Sequence, residues 1–82
     1  MKCELSQVVD VVAGFVARTR ALPKSTVSAQ TRILEEGLVD SFALIELIGE
    51  LEATFKASIP EGELIPQDFE TPTVLFHRLQ KL

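Results

Sequence analysis

Gly37-Leu38-Val39-Asp40-Ser41-Phe42 stands at the seam between a polar, aperiodic segment and the most regular amphipathic run in the chain. Just beyond it, Leu44, Leu47, Ile48, Leu51 and Phe55 recur at three- and four-residue spacings. They mark a single core-facing stripe and predict a helix over Ser41–Phe55. Asp-Ser at the start of such a run has two readings. It is a helix cap, or it displays a serine at a helix N-terminus. There, unpaired N–H groups and the positive end of the helix dipole favour a covalently attached anion. Both readings are compatible with these residues taken alone.

Upstream, Leu5, Val8, Val9, Val12, Phe15 and Val16 form one stripe and predict a helix over Leu5–Arg18. Arg18 and Arg20 suit the negative pole at its end. Between Ala21 and Asp40 the periodicity stops, and Pro23, Ser25, Thr26 and Ser28 read as loop. A connection of about twenty residues is too long to be featureless in a small domain. Ile33, Leu34, Leu38 and Val39 are the candidates to pin it; Leu34 and Leu38 are expected to tuck into the core, with Thr31 capping a short turn that includes Leu34. Downstream, Ala57–Gln67 is loop, Pro66–Phe69 is one short helical turn, and Phe69 is a core plug. Thr71-Pro72 starts a last helix reaching about Lys81, with Leu75, Leu79 and Leu82 on one side. No alternating strand pattern persists. The predicted fold is all-α: a small four-helix bundle of three main helices plus one short helix. A long loop joins helices 1 and 2, and residues 1–82 form a single domain.

The net charge is −4 and uneven: +3 over residues 1–34, −9 over 35–70 and +2 over 71–82. Acidity around and beyond the central stretch argues against nucleic acid, which requires a basic face, and suggests a partner with a basic surface. No apolar run approaches the roughly 18 residues of a membrane span, and the N-terminus lacks signal-peptide features. The expectation is a cytoplasmic monomer that binds neither membrane nor nucleic acid. The one cysteine, Cys3, can form no internal disulfide.

Opposite the core stripe, the central helix carries Phe42, Ile45, Glu46, Gly49 and Glu52. Large apolar residues ringed by carboxylates fit a small docking patch. Burial of Phe42 or Ile45 in the bundle is the competing reading. Gly49 costs about 1 kcal/mol relative to Ala in a helix interior. Catalytic constellations are scarce. His77 is the sole histidine, so a nucleophile–base pair would need Ser41 or Cys3 with His77. No metal-ligand cluster, calcium loop or glycine-rich phosphate loop occurs, so no metal is expected.

Leu34, then Gly37-Leu38-Val39-Asp40-Ser41-Phe42, then a helix with Leu47, Glu52 and Phe55, then Ile59-Pro60 and Phe69-Glu70-Thr71, resemble the acyl carrier and peptidyl carrier protein family. The resemblance covers almost the whole chain. It implies that Ser41 accepts 4′-phosphopantetheine from coenzyme A, and that the Asp40 carboxylate assists the transferase reaction and its metal ion. It also implies that Phe42, Ile45, Glu46, Gly49 and Glu52 lie on the helix used for partner recognition.

The chain departs from the common pattern at three places. Val39 adds a residue before Asp40, Phe42 replaces Leu or Met, and Ala43 stands where fatty-acid carriers are usually acidic. Ile59-Pro60 and Phe69-x-Thr71 are similar to discrete carriers of secondary metabolism. The implied function is a discrete, non-catalytic carrier that holds a substrate as a thioester in a polyketide, nonribosomal peptide or related pathway. Its implied partners are a phosphopantetheinyl transferase, an acyltransferase or adenylating loading enzyme, and downstream pathway enzymes. Two alternatives stand beside it. One is an acidic helical interaction module in which Ser41 is only a cap. The other is a small enzyme using Ser41 and His77.

Overall fold

The computed structural model describes all residues from Met1 to Leu82. It contains three α-helices and no strand: α1 (Leu5–Arg20), α2 (Ser41–Phe55) and α3 (Pro72–Gln80). α1 packs against both α2 and α3. Its Val8, Val12, Phe15 and Val16 join Leu44, Leu47 and Leu51 of α2 and Leu75 and Leu79 of α3 in one apolar core. α1 runs one half-turn past the expected end at Arg18, and Ala21 closes it in the left-handed conformation.

The expected short fourth helix takes the form of a single 3-10 turn, Pro66–Phe69. Thr71 explains why no α-helix forms there. It must be extended (φ −139°, ψ 161°) to cap α3 and to precede Pro72, so too few residues remain to propagate a helix after Pro66. Phe69 plugs the core as expected. The Thr71 hydroxyl accepts from Val74 N–H (3.1 Å), and Pro72 is the first helical residue.

Of the four apolar candidates to pin residues 21–40, the structure buries Ile33 and Val39 rather than the favoured Leu34 and Leu38, and adds Val27. Val27, Ile33 and Val39 are fully buried, whereas Leu34 and Leu38 are only partly covered. The cause is a single α-turn ended by Gly37. Glu36 N–H donates to Arg32 O (2.9 Å), Gly37 N–H to Leu34 O (3.1 Å), and Leu38 N–H to Ile33 O (2.9 Å). That pairing is a Schellman closure, with Gly37 at φ +72° in the left-handed position that favours glycine. The closure rotates Ile33 and Val39 inward. Thr31 does not cap this turn, because its hydroxyl accepts from Ser28 N–H in the preceding one (2.8 Å). Polar bonds tie the segment to two helices. Thr73 N–H and its hydroxyl both reach Ala29 O (3.1 and 2.9 Å), and Arg20 Nε–H reaches Leu38 O (3.2 Å).

Candidate functional site

The site begins where the pinned loop becomes α2. Asp40 is extended (φ −96°, ψ 177°), and its Oδ1 accepts from Ala43 N–H (2.8 Å), so Asp40 is the N-cap. Ser41 is therefore the first helical residue and has no capping duty. It is exposed, and its hydroxyl hydrogen-bonds to nothing in the protein. This removes the reading of Ser41 as merely a cap. Ala43 N–H is claimed by Asp40, but the N–H groups of Ser41 and Phe42 are unpaired and face the helix end. The reachable hydroxyl, the two free donors and the positive end of the helix dipole fit an anionic ester at this terminus. Asp40 keeps its second carboxylate oxygen free of intramolecular bonds.

Phe42 is 83% exposed and Ile45 73% exposed, so neither is absorbed by the bundle. The five residues expected on one recognition face are divided between two concavities. A cleft of about 280 Å³ on the α1 side is lined by Phe42 and Glu46 together with Thr19, Arg20, Leu38 and Asp40. A larger groove of about 410 Å³ on the other side is lined by Ile45 and Gly49 with Ile48, Ile59, Pro60 and Leu64. Gly49 is exposed, and a methyl group there would touch nothing.

Glu52 also lines the larger groove, and it has a second, structural duty. It is half-buried, and its Oε2 accepts from Ile59 N–H (2.7 Å), so its carboxylate anchors the chain that leaves α2. Glu50 is paired with Arg18 across to α1 (2.7 Å). Glu46 has no ion-pair partner and remains the free carboxylate of this face. Thr19, Arg20 and Leu64 were not singled out from sequence as site residues. Arg20 reads there only as a complement to the helix dipole, because no periodic pattern links it to a residue twenty positions away. His77 lies on α3 against Phe76 (ring centroids 5.3 Å apart), is exposed, and lines neither concavity.

Residues 7–75 match the family described as "Phosphopantetheine attachment site". The chain belongs to that family. It takes 4′-phosphopantetheine covalently and acts as a carrier, not a catalyst. Over 49 residues it is 39% identical to a D-alanyl carrier protein of Lactococcus lactis subsp. cremoris, covering 60% of this chain and 62% of the relative. Over 50 residues it is 36% identical to a D-alanyl carrier protein of Bacillus velezensis, covering 61% of this chain and 64% of the relative. These matches thus span less than two thirds of the relatives' own length. No solved structure matches the chain significantly. No helix is long and apolar enough to cross a membrane.

Proposed function

We propose that Ser41 carries the 4′-phosphopantetheine arm and that residues 1–82 act as one carrier unit for an aminoacyl group. The observation that carries this reading is the division of labour at the start of α2. Asp40 takes the cap, which leaves the Ser41 hydroxyl exposed and unbonded. When bound, the arm supplies a thiol that holds the substrate as a thioester. The chain's own residues supply placement. The Gly37 closure and the burial of Ile33 and Val39 fix the backbone entering Asp40, and the cap fixes Ser41 at the helix end. The second oxygen of Asp40 is free to assist the phosphopantetheinyl transferase and its metal ion. Delivery from a tethered arm is partly intramolecular, which raises the effective concentration at a docked active site.

Phe42, Ile45 and Glu46, with Gly49 leaving room beside them, form the surface offered to partners. A small mixed patch suits transient docking to a succession of enzymes better than a large apolar interface. The D-alanyl carrier relatives favour an amino-acid cargo loaded by an adenylating enzyme over a malonyl-type cargo loaded by an acyltransferase. Their name supports an aminoacyl carrier and names neither polyketide nor nonribosomal peptide assembly; the chain acts as a cytoplasmic monomer.

The test is intact mass after incubation with coenzyme A and a promiscuous phosphopantetheinyl transferase. One phosphopantetheine should add to the wild type and none to a folded Ser41→Ala variant. Folded wild type that stays unmodified, or a Ser41→Ala variant that is still modified, overturns the assignment. Holo protein offered to a panel of adenylating enzymes and acyltransferases should accept aminoacyl groups. Loading by malonyl transferases alone would refute the cargo class.

A further inference from the structure

A phosphodiester on the first turn of α2 adds a negative charge to a segment that already carries −9 over residues 35–70. Asp40, next to that position, and Glu46, one turn further along α2, both line the cleft on the α1 side. One cation shares that cleft: Arg20. Its standing among the four arginines is unusual. Arg18 is paired with Glu50, Arg32 with Glu35, and Arg78 with Glu63 and Asp68, whereas Arg20 has no carboxylate within ion-pair distance. It is nevertheless held in place. Its Nε–H donates to Leu38 O (3.2 Å), two residues before Asp40, and neither Nη group donates to anything in the protein. A tethered guanidinium with both outer nitrogens free, beside the residues that flank Ser41, is a ready partner for phosphate oxygens.

We propose that Arg20 is a phosphate-facing residue of the carrier, contacting the phosphodiester of the arm and holding its first segment against the α1 side of α2. This rests on the assignment of the arm to Ser41. The contact offsets the repulsion that Asp40 and Glu46 exert on the phosphodiester. It also gives the arm a bias toward the cleft rather than the larger groove beyond Ile45. A partner that competes for Arg20 with its own carboxylate would release the arm, so the same residue ties arm position to docking.

The experiment follows the phosphorus and the arginine separately. In uniformly 15N-labelled wild-type protein, the Arg20 Nε–H resonance is recorded before and after arm attachment, with mass spectrometry confirming complete conversion. The 31P resonance of the phosphodiester is then compared in holo wild type, Arg20→Lys and Arg20→Gln, at about 10 mM and about 1 M salt. Those limits take the screening length from roughly 30 Å to roughly 3 Å.

Attachment should shift the Arg20 Nε–H signal. Arg20→Gln should displace the 31P resonance and change its salt dependence, because only the repulsion from Asp40 and Glu46 then remains to be screened, and Arg20→Lys should stay closer to wild type. A purely structural role at Leu38 would move backbone amides of 38–42 equally in apo and holo protein while leaving the salt dependence of the 31P signal intact. That result overturns the proposal. So does an Arg20 signal unmoved by attachment, an observation that requires no substitution. If wild type takes up no arm at all, the assignment to Ser41 falls and this proposal with it. If the arm attaches and both signals stay still, only the role of Arg20 falls.

Discussion

Asp40 has two duties that a pair of substitutions separates. Its Oδ1 accepts from Ala43 N–H at 2.8 Å and caps α2, and its charge sits at the positive end of the helix dipole. Loss of an N-cap to alanine costs about 1 kcal/mol, while Asn caps about as well as Asp. Loss of the charge at the dipole costs a further ~0.5 kcal/mol, kept low because the site is exposed. Asp40→Ala therefore loses roughly 1.5 kcal/mol and Asp40→Asn roughly 0.5. At about 4–8 °C per kcal/mol for a domain of this size, Tm should fall by about 6–12 °C for Ala and about 2–4 °C for Asn. Thermal melts by circular dichroism measure both. Equal melting temperatures for the two variants would refute the cap argument.

Arm attachment then reads the second duty, followed by mass under conditions where both variants stay folded. Asp40→Asn keeps the cap but lacks the carboxylate, so it should be modified more slowly than wild type, and Asp40→Ala about as slowly as Asn. An Asn variant modified at the wild-type rate would show that Asp40 serves the helix alone.

Of the three glutamates of α2, Glu46 and Glu52 should behave oppositely. Glu46→Lys should leave stability within about 0.5 kcal/mol but slow loading, more at low salt than at high, whereas Glu52→Ala should cost about 1–3 kcal/mol by stranding Ile59 N–H. Denaturant unfolding beside loading rates per folded molecule checks this, and a Glu52→Ala variant of unchanged stability would contradict the anchoring role. Gly49→Ala should stabilise by about 0.5–1 kcal/mol, because the added methyl meets no neighbour and the helix gains propensity; a lower Tm would contradict this. Burial pushes the Cys3 thiol above its ordinary pKa, partly offset by the Met1 ammonium and the Gln80 hydrogen bond. The thiolate fraction of Cys3 is thereby reduced at pH 7–8, and alkylation of holo protein should consume the arm thiol before Cys3. Peptide mapping after one equivalent of iodoacetamide checks this, and preferential labelling of Cys3 would count against it.

What the sequence settled by itself is what local chemistry determines. The stripe of Leu44, Leu47 and Leu51 required α2 and its core face, and Thr71-Pro72 required the start of α3. Gly37 with Asp40-Ser41 marked where the chain turns into the site. Each depends on neighbours within one or two helical turns, so spacing alone reveals it. What only the tertiary structure decided depends on residues far apart in the chain. Ile33 and Val39, rather than Leu34 and Leu38, are buried because the Gly37 closure sets a rotation that composition does not encode. Phe42 and Ile45 are exposed because the third side of α2 has no helix to cover it, which the amphipathic pattern alone left undecided. Glu52 turns inward because Ile59 N–H needs an acceptor once the chain bends back after Lys56. Arg20 comes beside the residues flanking Ser41 because α1 packs against α2, a juxtaposition across twenty intervening positions that no local pattern announces.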